Sequence, residues 1–428
     1  MDTPRAAVKL SDISAKFTEE TLDEIVRAAG GKRCISWKIP ETNFAKGDAY
    51  LSELYRIQLT GEPNEPDQEP LVVNVVVKTI PKNVGRRNTF RSADFFRNEA
   101  NFYNVVLKEL YRFQDARKPA NPFKDIDRCF VAYTDGVNDF IAMDDLGQYG
   151  YKTASRSEGI KLDECLRCVR SLARFHALSF ALKLQEPHTF QALVNQLEET
   201  YYSARLVPWY RNFMQRLVTI CKEALETGCT EDPEDYSTSF KRDVMTFLDG
   251  DIYGLMVELV ATRTHYSVLT HGDCWLPNFL LHPTAVRLID FQMVRCGSPV
   301  LDIVLFLYCC TDQALRSAHY DQLLGAYHQS FSEMLTDLGT DARETFPATA
   351  LTAELERFGR FGCGIAVESI PLSLLDDADV PDLDSVEGTE GVPLEQIMPL
   401  RSIKTRYGRR RLLDVFRHAR DCGYLKSN

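Results

Sequence analysis

Along the first third of the chain the apolar positions recur at a spacing of two. The runs 33–39, 49–59, 71–80, 128–134 and 139–143 alternate or are continuously apolar, and they predict short strands. Turn formers such as Gly61-Glu62-Pro63-Asn64 and Asp135-Gly136 punctuate them. Two helices interrupt this region, one over 19–29 closed by Gly30-Gly31 and one over 93–110. Beyond residue 150 the spacing changes to that of helices, over 159–184, 188–227, 298–337, 352–368 and 409–422. The last of these places Leu412, Phe416 and Ala419 on one face. Short strands return only between 267 and 291. This pattern predicts an α+β chain of two lobes: a β-rich domain over 1–145 and a larger, mostly helical domain over 146–428. A single covalent crossing is expected near Met143-Asp144-Asp145-Leu146-Gly147.

Composition narrows the function. The 428 residues are 44% apolar and 26% charged, ordinary values for a folded chain with its own core. Lys and Arg number 50 against 61 Asp and Glu, a net charge of −11 that argues against nucleic-acid and anionic-membrane partners. The 12 cysteines are scattered, and the Cys165/Cys168 pair sits inside a helical stretch without a second ligand pair, so it reads as buried thiols. Met1-Asp2-Thr3-Pro4-Arg5 opens no apolar leader, and the longest apolar run, 303–310, is too short to span a bilayer. A cytoplasmic location is the expectation. The acidic stretch 376–390 reads as a solvated loop.

The densest chemical signal is His271-Gly272-Asp273, Asn278 five residues further on, and Asp290-Phe291 twelve beyond that. Asp273 and Asn278 flank a polar turn between apolar strands, and Asp290 closes the strand 285–289. Single aspartates at such places are commonly turn residues. Three oxygen-bearing side chains converging on strand ends fit a different chemistry. An Asn and an Asp suit a hard cation such as Mg²⁺ and leave coordination sites for nucleotide phosphates. Asp273 would then orient an attacking hydroxyl and accept its proton.

The first lobe supplies a matching pair. Lys78 ends an almost unbroken apolar strand and shares a face with Val72 and Val76. Glu99 falls on the apolar face of the 93–110 helix with Phe95, Phe102, Tyr103, Val106 and Leu110. A carboxylate turned to a core needs a partner. Arg97 and Lys108 are within reach along the helix, but beside the second-lobe motif Lys78 is the preferred one, as in sites that hold nucleotide phosphates. Ahead of the strand 53–59, Gly47 and the Ser52 hydroxyl are candidates for cradling phosphate, although one glycine makes no Gly-rich signature.

These residues resemble the aminoglycoside-phosphotransferase and choline-kinase branch of the protein-kinase-like fold, and most of all the ecdysteroid-kinase-like family. The resemblance runs from Gly47, Tyr50, Ser52 and Leu54-Tyr55-Arg56 through Lys78, Glu99 and Asp144-Asp145-Leu146. It continues over Leu172-Ala173-Arg174-Phe175-His176, His271-Gly272-Asp273, Trp275, Asn278, Asp290-Phe291-Gln292, Asp302 and Gly423-Tyr424-Leu425. It implies a bilobal fold, ATP and Mg²⁺, Asp273 as catalytic base, and Asn278 and Asp290 as metal ligands. Lys78 would contact the α- and β-phosphates, and Asp144 to Leu146 would meet adenine through backbone groups. The implied acceptor is a hydroxyl of an ecdysteroid or a foreign alcohol. Ala49 stands where that family often carries Asn, and Asp144 where Glu is usual.

Only twelve positions separate Asp290 from Asp302, and no activation segment intervenes, so a polypeptide acceptor has no platform. A small-molecule alcohol is the expected partner, with its site between the catalytic loop and the helices after 299, covered by 370–395. His271 and His176 read as bracing and core histidines. The alternatives are a nucleotide-binding pseudokinase or scaffold and a choline/ethanolamine-type kinase. Retention of Lys78, Glu99, Asp273, Asn278 and Asp290 disfavours the first, and Gln292, where an acidic residue would be expected, disfavours the second.

Overall fold

The computed structural model describes residues 8–40, 51–154, 159–375 and 382–425. They fall into two compact units. One draws on Met1–Asn104, Ile126–Lys152 and Asp382–Val392, and the other on Val105–Asp125, Thr153–Pro381 and Pro393–Asn428. The chain therefore passes between units more than once, where sequence periodicity gave a single crossing near 145.

The first unit is built on an antiparallel five-stranded sheet of β1 (Cys34–Lys38), β2 (Glu53–Gly61), β3 (Leu71–Thr79), β4 (Cys129–Tyr133) and β5 (Phe140–Asp144), in the order β1-β2-β3-β5-β4. β3 is central, with Leu54 opposite Lys78 on one side and Ile141 opposite Lys78 on the other. Its two faces differ. Val73, Val75 and Val77 bury against Leu22, Ile25 and Val26 of the amphipathic helix Glu19–Ala28. The other face carries Val72, Asn74, Val76 and Lys78, and its burial grows toward Lys78: Val72 is 57% exposed and Lys78 only 5%. The expected dry surface therefore exists only at the Lys78 end.

The helix expected over 93–110 begins at Ser92 and runs to Asn101. Its turn widens to a π-helix over Phe102–Val106 before continuing as Leu107–Arg117. A short helix, Val84–Thr89, precedes it.

The acidic stretch read as a solvated loop is, over Asp382–Val392, docked on that short helix. Asn83 Nδ2 donates to the carbonyls of Asp384 (2.8 Å) and Val386 (3.1 Å), and Asn88 Nδ2 to that of Thr389 (2.6 Å). The Val392 N–H donates to Thr89 Oγ1 at 3.0 Å. Gly85 permits the approach, since a Cβ there would lie 3.0 Å from the carbonyl oxygens of both Val386 and Gly388. Asp382, Glu387 and Glu390 are exposed, Asp384 pairs with Arg86, and the backbone is anchored, whereas composition reports only the charges.

The second unit is mostly helical. The periodic stretch 188–227 is two helices, Pro187–Val194 and Val207–Glu231, and 298–337 is Val300–Cys310 followed by Gln313–Asp337. In the second case the break is chemical: Asp312 caps the new helix by accepting the Leu315 N–H at 2.8 Å. The 352–368 stretch likewise divides into Ala348–Phe358 and Phe361–Ser373. Four short strands, β6 (Val268–Thr270), β7 (Phe279–His282), β8 (Ala285–Leu288) and β9 (Arg295–Gly297), carry the motif residues on their connections. β6 pairs with β9, and β7 with β8. Among the described residues no helix is long and apolar enough to cross a membrane.

Candidate active site

In the first unit Lys78 and Glu99 meet. Lys78 Nζ lies 2.7 Å from Glu99 Oε2, and the two side chains are 7% and 0% exposed. The ammonium also lies 5.6 Å from the centre of the Phe96 ring. Taking both charges out of water is costly, so such a pair fixes a position more than it adds stability. Its effect is to hold the lysine at the end of β3.

Gly47 lies outside the described residues. Ser52 is buried just before β2, and its carbonyl accepts from Arg86 Nη2 at 3.2 Å, while Arg86 Nη1 pairs with Asp384 at 2.9 Å. Asp144 ends β5. Burial pushes its carboxyl pKa up, and its backbone N–H donates to the Arg128 carbonyl at 3.0 Å. Asp145, beside it, pairs with Arg56 at 3.2 Å and caps the turn that begins at Leu146.

In the second unit the chain from β6 to the helix Val300–Cys310 builds one connected constellation. Gly272 has φ +85°, and a Cβ there would lie 2.0 Å from the Met293 carbonyl oxygen, so only glycine fits the turn. His271 is fully buried and spans the two motif segments. Its Nε2 donates to the Ile289 carbonyl at 2.9 Å and its Nδ1 accepts the Asp273 N–H at 3.2 Å. Burial lowers its pKa, although Asp302 opposes the shift, so the ring is neutral with both nitrogens used. It braces the loop, which leaves no ring nitrogen for acid–base work.

Asn278 turns its amide toward Asp273. Nδ2 donates to the Asp273 carbonyl at 2.9 Å and to its carboxylate Oδ2 at 3.1 Å. The Asn278 carbonyl accepts the Ile289 N–H at 3.1 Å, which ties this turn to the residue before Asp290. Asp290 itself has φ +67°, a left-handed conformation that Asp tolerates better than most side chains and that changes the chain direction after β8. The structure thus connects Asp273, Asn278 and the approach to Asp290 through direct bonds. Among the described residues no group of three His, Cys, Asp or Glu is assembled to hold a metal alone. An Asn and an Asp with room for phosphate oxygens is the donor set that a hydrated Mg²⁺ takes.

Beneath the loop lies a residue whose role the motif spacing did not disclose. Asp302 accepts the backbone N–H groups of His271 (2.6 Å) and Gly272 (2.9 Å), and it is fully buried. His176 Nε2 lies 3.0 Å from it, and His176 Nδ1 lies 2.7 Å from the Tyr327 hydroxyl. Burial would raise the Asp302 pKa, but His176 and the backbone donors more than offset that and hold it low. The signal was present in sequence: Asp302 is the one acid in the otherwise apolar helix Val300–Cys310.

A second brace is Arg295, which donates to the Gly272 carbonyl at 3.0 Å and pairs with Glu199 at 3.0 Å. Glu199 had no distinguishing context in the sequence. Cys165 and Cys168 are both buried, and burial raises both thiol pKa values, as inert core thiols require.

The model of the ecdysteroid kinase-like family matches residues 46–340. The chain belongs to the ecdysteroid kinase-like family. That span includes Lys78, Glu99, Asp144, Asp273, Asn278, Asp290 and Asp302, and it places the protein among the kinase-like phosphotransferases. No curated protein matches the sequence.

Among solved structures, a choline kinase from Cryptosporidium parvum Iowa II is similar at 10% identity over 91% of each chain, with a TM-score of 0.40. The macrolide 2'-phosphotransferase MphH from Brachybacterium faecium is similar at 12% identity over 81% of this chain and 92% of its own, with a TM-score of 0.34. A GDP complex of aminoglycoside 2'-phosphotransferase-IIIa is similar at 17% identity over 77% and 93%, with a TM-score of 0.31.

Proposed function

We propose that this ecdysteroid kinase-like protein is an ATP- and Mg²⁺-dependent phosphotransferase acting on a hydroxyl of a small molecule, an ecdysteroid or a foreign alcohol. The observation that carries the reading is the Asn278 amide bound to both the carbonyl and the carboxylate of Asp273. With Nδ2 committed in this way, Asn278 presents Oδ1 as its oxygen for a cation.

Asn278 and Asp290 would hold Mg²⁺, which when bound neutralises phosphate charge as the γ-phosphoryl group moves. Lys78, fixed by Glu99, would bind the α- and β-phosphates. Gly47 and Ser52 would cradle phosphate, and the backbone from Asp144 to Leu146 would meet adenine. Asp273, oriented by the Asn278 amide, would accept the proton of the attacking hydroxyl. That oxygen bonds to the γ-phosphorus while the bridging oxygen leaves with ADP. The neutral His271 keeps the loop rigid without competing for the proton. The test is ATP consumption with Mg²⁺ across sterols, glycosides and amino alcohols. Phosphorylated product is expected from the wild type, and about 10²–10⁴-fold less of it from Asp273→Asn. Equal turnover by the two would overturn Asp273 as the base.

A further inference from the structure

A second carboxylate is joined to the Asp273 loop through intervening residues and has no part in the chemistry above. Glu368, on the helix Phe361–Ser373, is partly exposed. The Tyr201 hydroxyl donates to one of its oxygens and the Tyr202 hydroxyl to the other, the latter at 3.0 Å. Around it the rings pack closely, with Tyr201 4.2 Å from Tyr210 and Tyr202 5.8 Å from Phe361, centre to centre. Burial pushes the Glu368 pKa up and the two hydroxyls pull it back. Among the described residues no Lys, Arg or His forms an ion pair with it.

Two routes tie this carboxylate to the loop. On one side Arg295 joins the Gly272 carbonyl to Glu199, whose carboxylate accepts the N–H groups of Tyr201 (3.0 Å) and Tyr202 (2.7 Å). On the other, Cys310 Sγ lies 3.5 Å from the carbonyl of Cys274, the residue after Asp273, and the adjacent Cys309 Sγ lies 3.1 Å from Ser369 Oγ, beside Glu368. The charges of both Asp273 and Glu368 reach Cys309, adding to the burial that raises its thiol pKa.

We propose that Glu368, oriented by Tyr201 and Tyr202, binds a hydrogen-bond-donating group of the acceptor, a second hydroxyl or an ammonium, remote from the hydroxyl that Asp273 serves. This rests on the phosphotransferase reading and adds to it a requirement on the acceptor. An ionised carboxylate offers about four lone-pair sites. The two tyrosines take one on each oxygen and leave one on each. A bridge needed only to fasten the helix would be served by a neutral amide. A carboxyl group with no protein cation beside it is stabilised when a ligand donor meets it.

The test uses three acceptors on one sterol skeleton: a mono-ol, a diol and an amino alcohol. The wild type is expected to use the diol or the amino alcohol with kcat/KM about tenfold to a hundredfold above the mono-ol, the range of one charge-assisted hydrogen bond. Preference for the diol assigns a hydroxyl, and preference for the amino alcohol an ammonium. Glu368→Gln is expected to collapse the ratio toward one, chiefly through KM, with the Mg·ATP-dependent thermal shift retained. Tyr202→Phe, which removes one orienting hydroxyl, should reduce the ratio partway. No preference in the wild type, or a preference that survives Glu368→Gln, overturns the proposal. A wild type with no Mg·ATP shift overturns the phosphotransferase reading instead.

Discussion

His176 Nε2 lies 3.0 Å from Asp302 Oδ2, and both side chains are shielded completely from water. Through Asp302 this pair reaches the backbone N–H groups of His271 and Gly272, so two helices set the position of the turn ahead of Asp273. Asp302→Asn keeps the shape but leaves one oxygen for two backbone donors, which the carboxylate meets with one oxygen each. Removing one member of a buried charged network costs about 3–5 kcal/mol, and urea unfolding of the variant should show a loss of that size. The wild-type Asp302 pKa is held below that of the unfolded chain. Its stabilisation is therefore complete above about pH 4 and is lost as pH falls through the folded value. The variant should show a shallower acid slope, and an unchanged slope would count against this account.

Asp273 and Asp290 are expected to fail differently. Asp273→Asn should lower transfer by about 10²–10⁴-fold while leaving the Mg·ATP-dependent thermal shift in place, because a base acts on the acceptor rather than on nucleotide binding. Asp290 is best replaced by Asn, which tolerates its φ of +67°; Ala would add backbone strain to the loss of charge. Asp290→Asn should abolish the Mg²⁺-dependent part of the shift and spare folding. A variant whose shift matches the wild type would place the metal elsewhere.

The Lys78–Glu99 pair makes its own prediction. Lys78→Met leaves a carboxylate that is 0% exposed without its ammonium, at a cost of about 3–5 kcal/mol. Adding Glu99→Gln should return part of that stability, since the remaining buried group is then neutral. Neither variant should bind ATP as the wild type does. A double-mutant cycle by thermal and urea unfolding measures the coupling, and strict additivity would show that the contact carries no energy.

Legibility in the sequence followed the kind of interaction. Lys78 and Glu99 could be paired on paper because each is a charge on an otherwise apolar face, an anomaly visible in a period of two and a period of 3.6. His271, Asp273, Asn278 and Asp290 stood out by spacing alone. The lobes were visible as a change of period, whereas their exchange of residues 105–125 and 382–392 was not. The latter segment is held by carbonyls accepting from Asn83 and Asn88, bonds that no side-chain pattern encodes. Glu199 and Arg295 were invisible for a related reason. Their partners are a backbone carbonyl, two backbone N–H groups and each other, and they are 96 residues apart.

His418 offers a measurement independent of any substrate. It is buried in the helix Arg406–Asp421, with Nδ1 3.1 Å from the Tyr308 hydroxyl and the Tyr320 ring 4.7 Å away. Burial, with a smaller contribution from the Arg316 charge, lowers its pKa to about 4. In the unfolded chain the ring titrates near 6.5, so the unfolded state takes up a proton that the folded state refuses between those two values. The stabilisation is complete above about pH 6.5 and is lost as pH falls toward 4, by on the order of 3 kcal/mol. His418→Gln has no such proton to refuse. Its urea midpoint should fall below that of the wild type at pH 7.5, and the two should converge by pH 4.5. Parallel curves over that range would mean that His418 takes up its proton alike in the folded and unfolded states, contrary to its burial against Tyr308 and Tyr320.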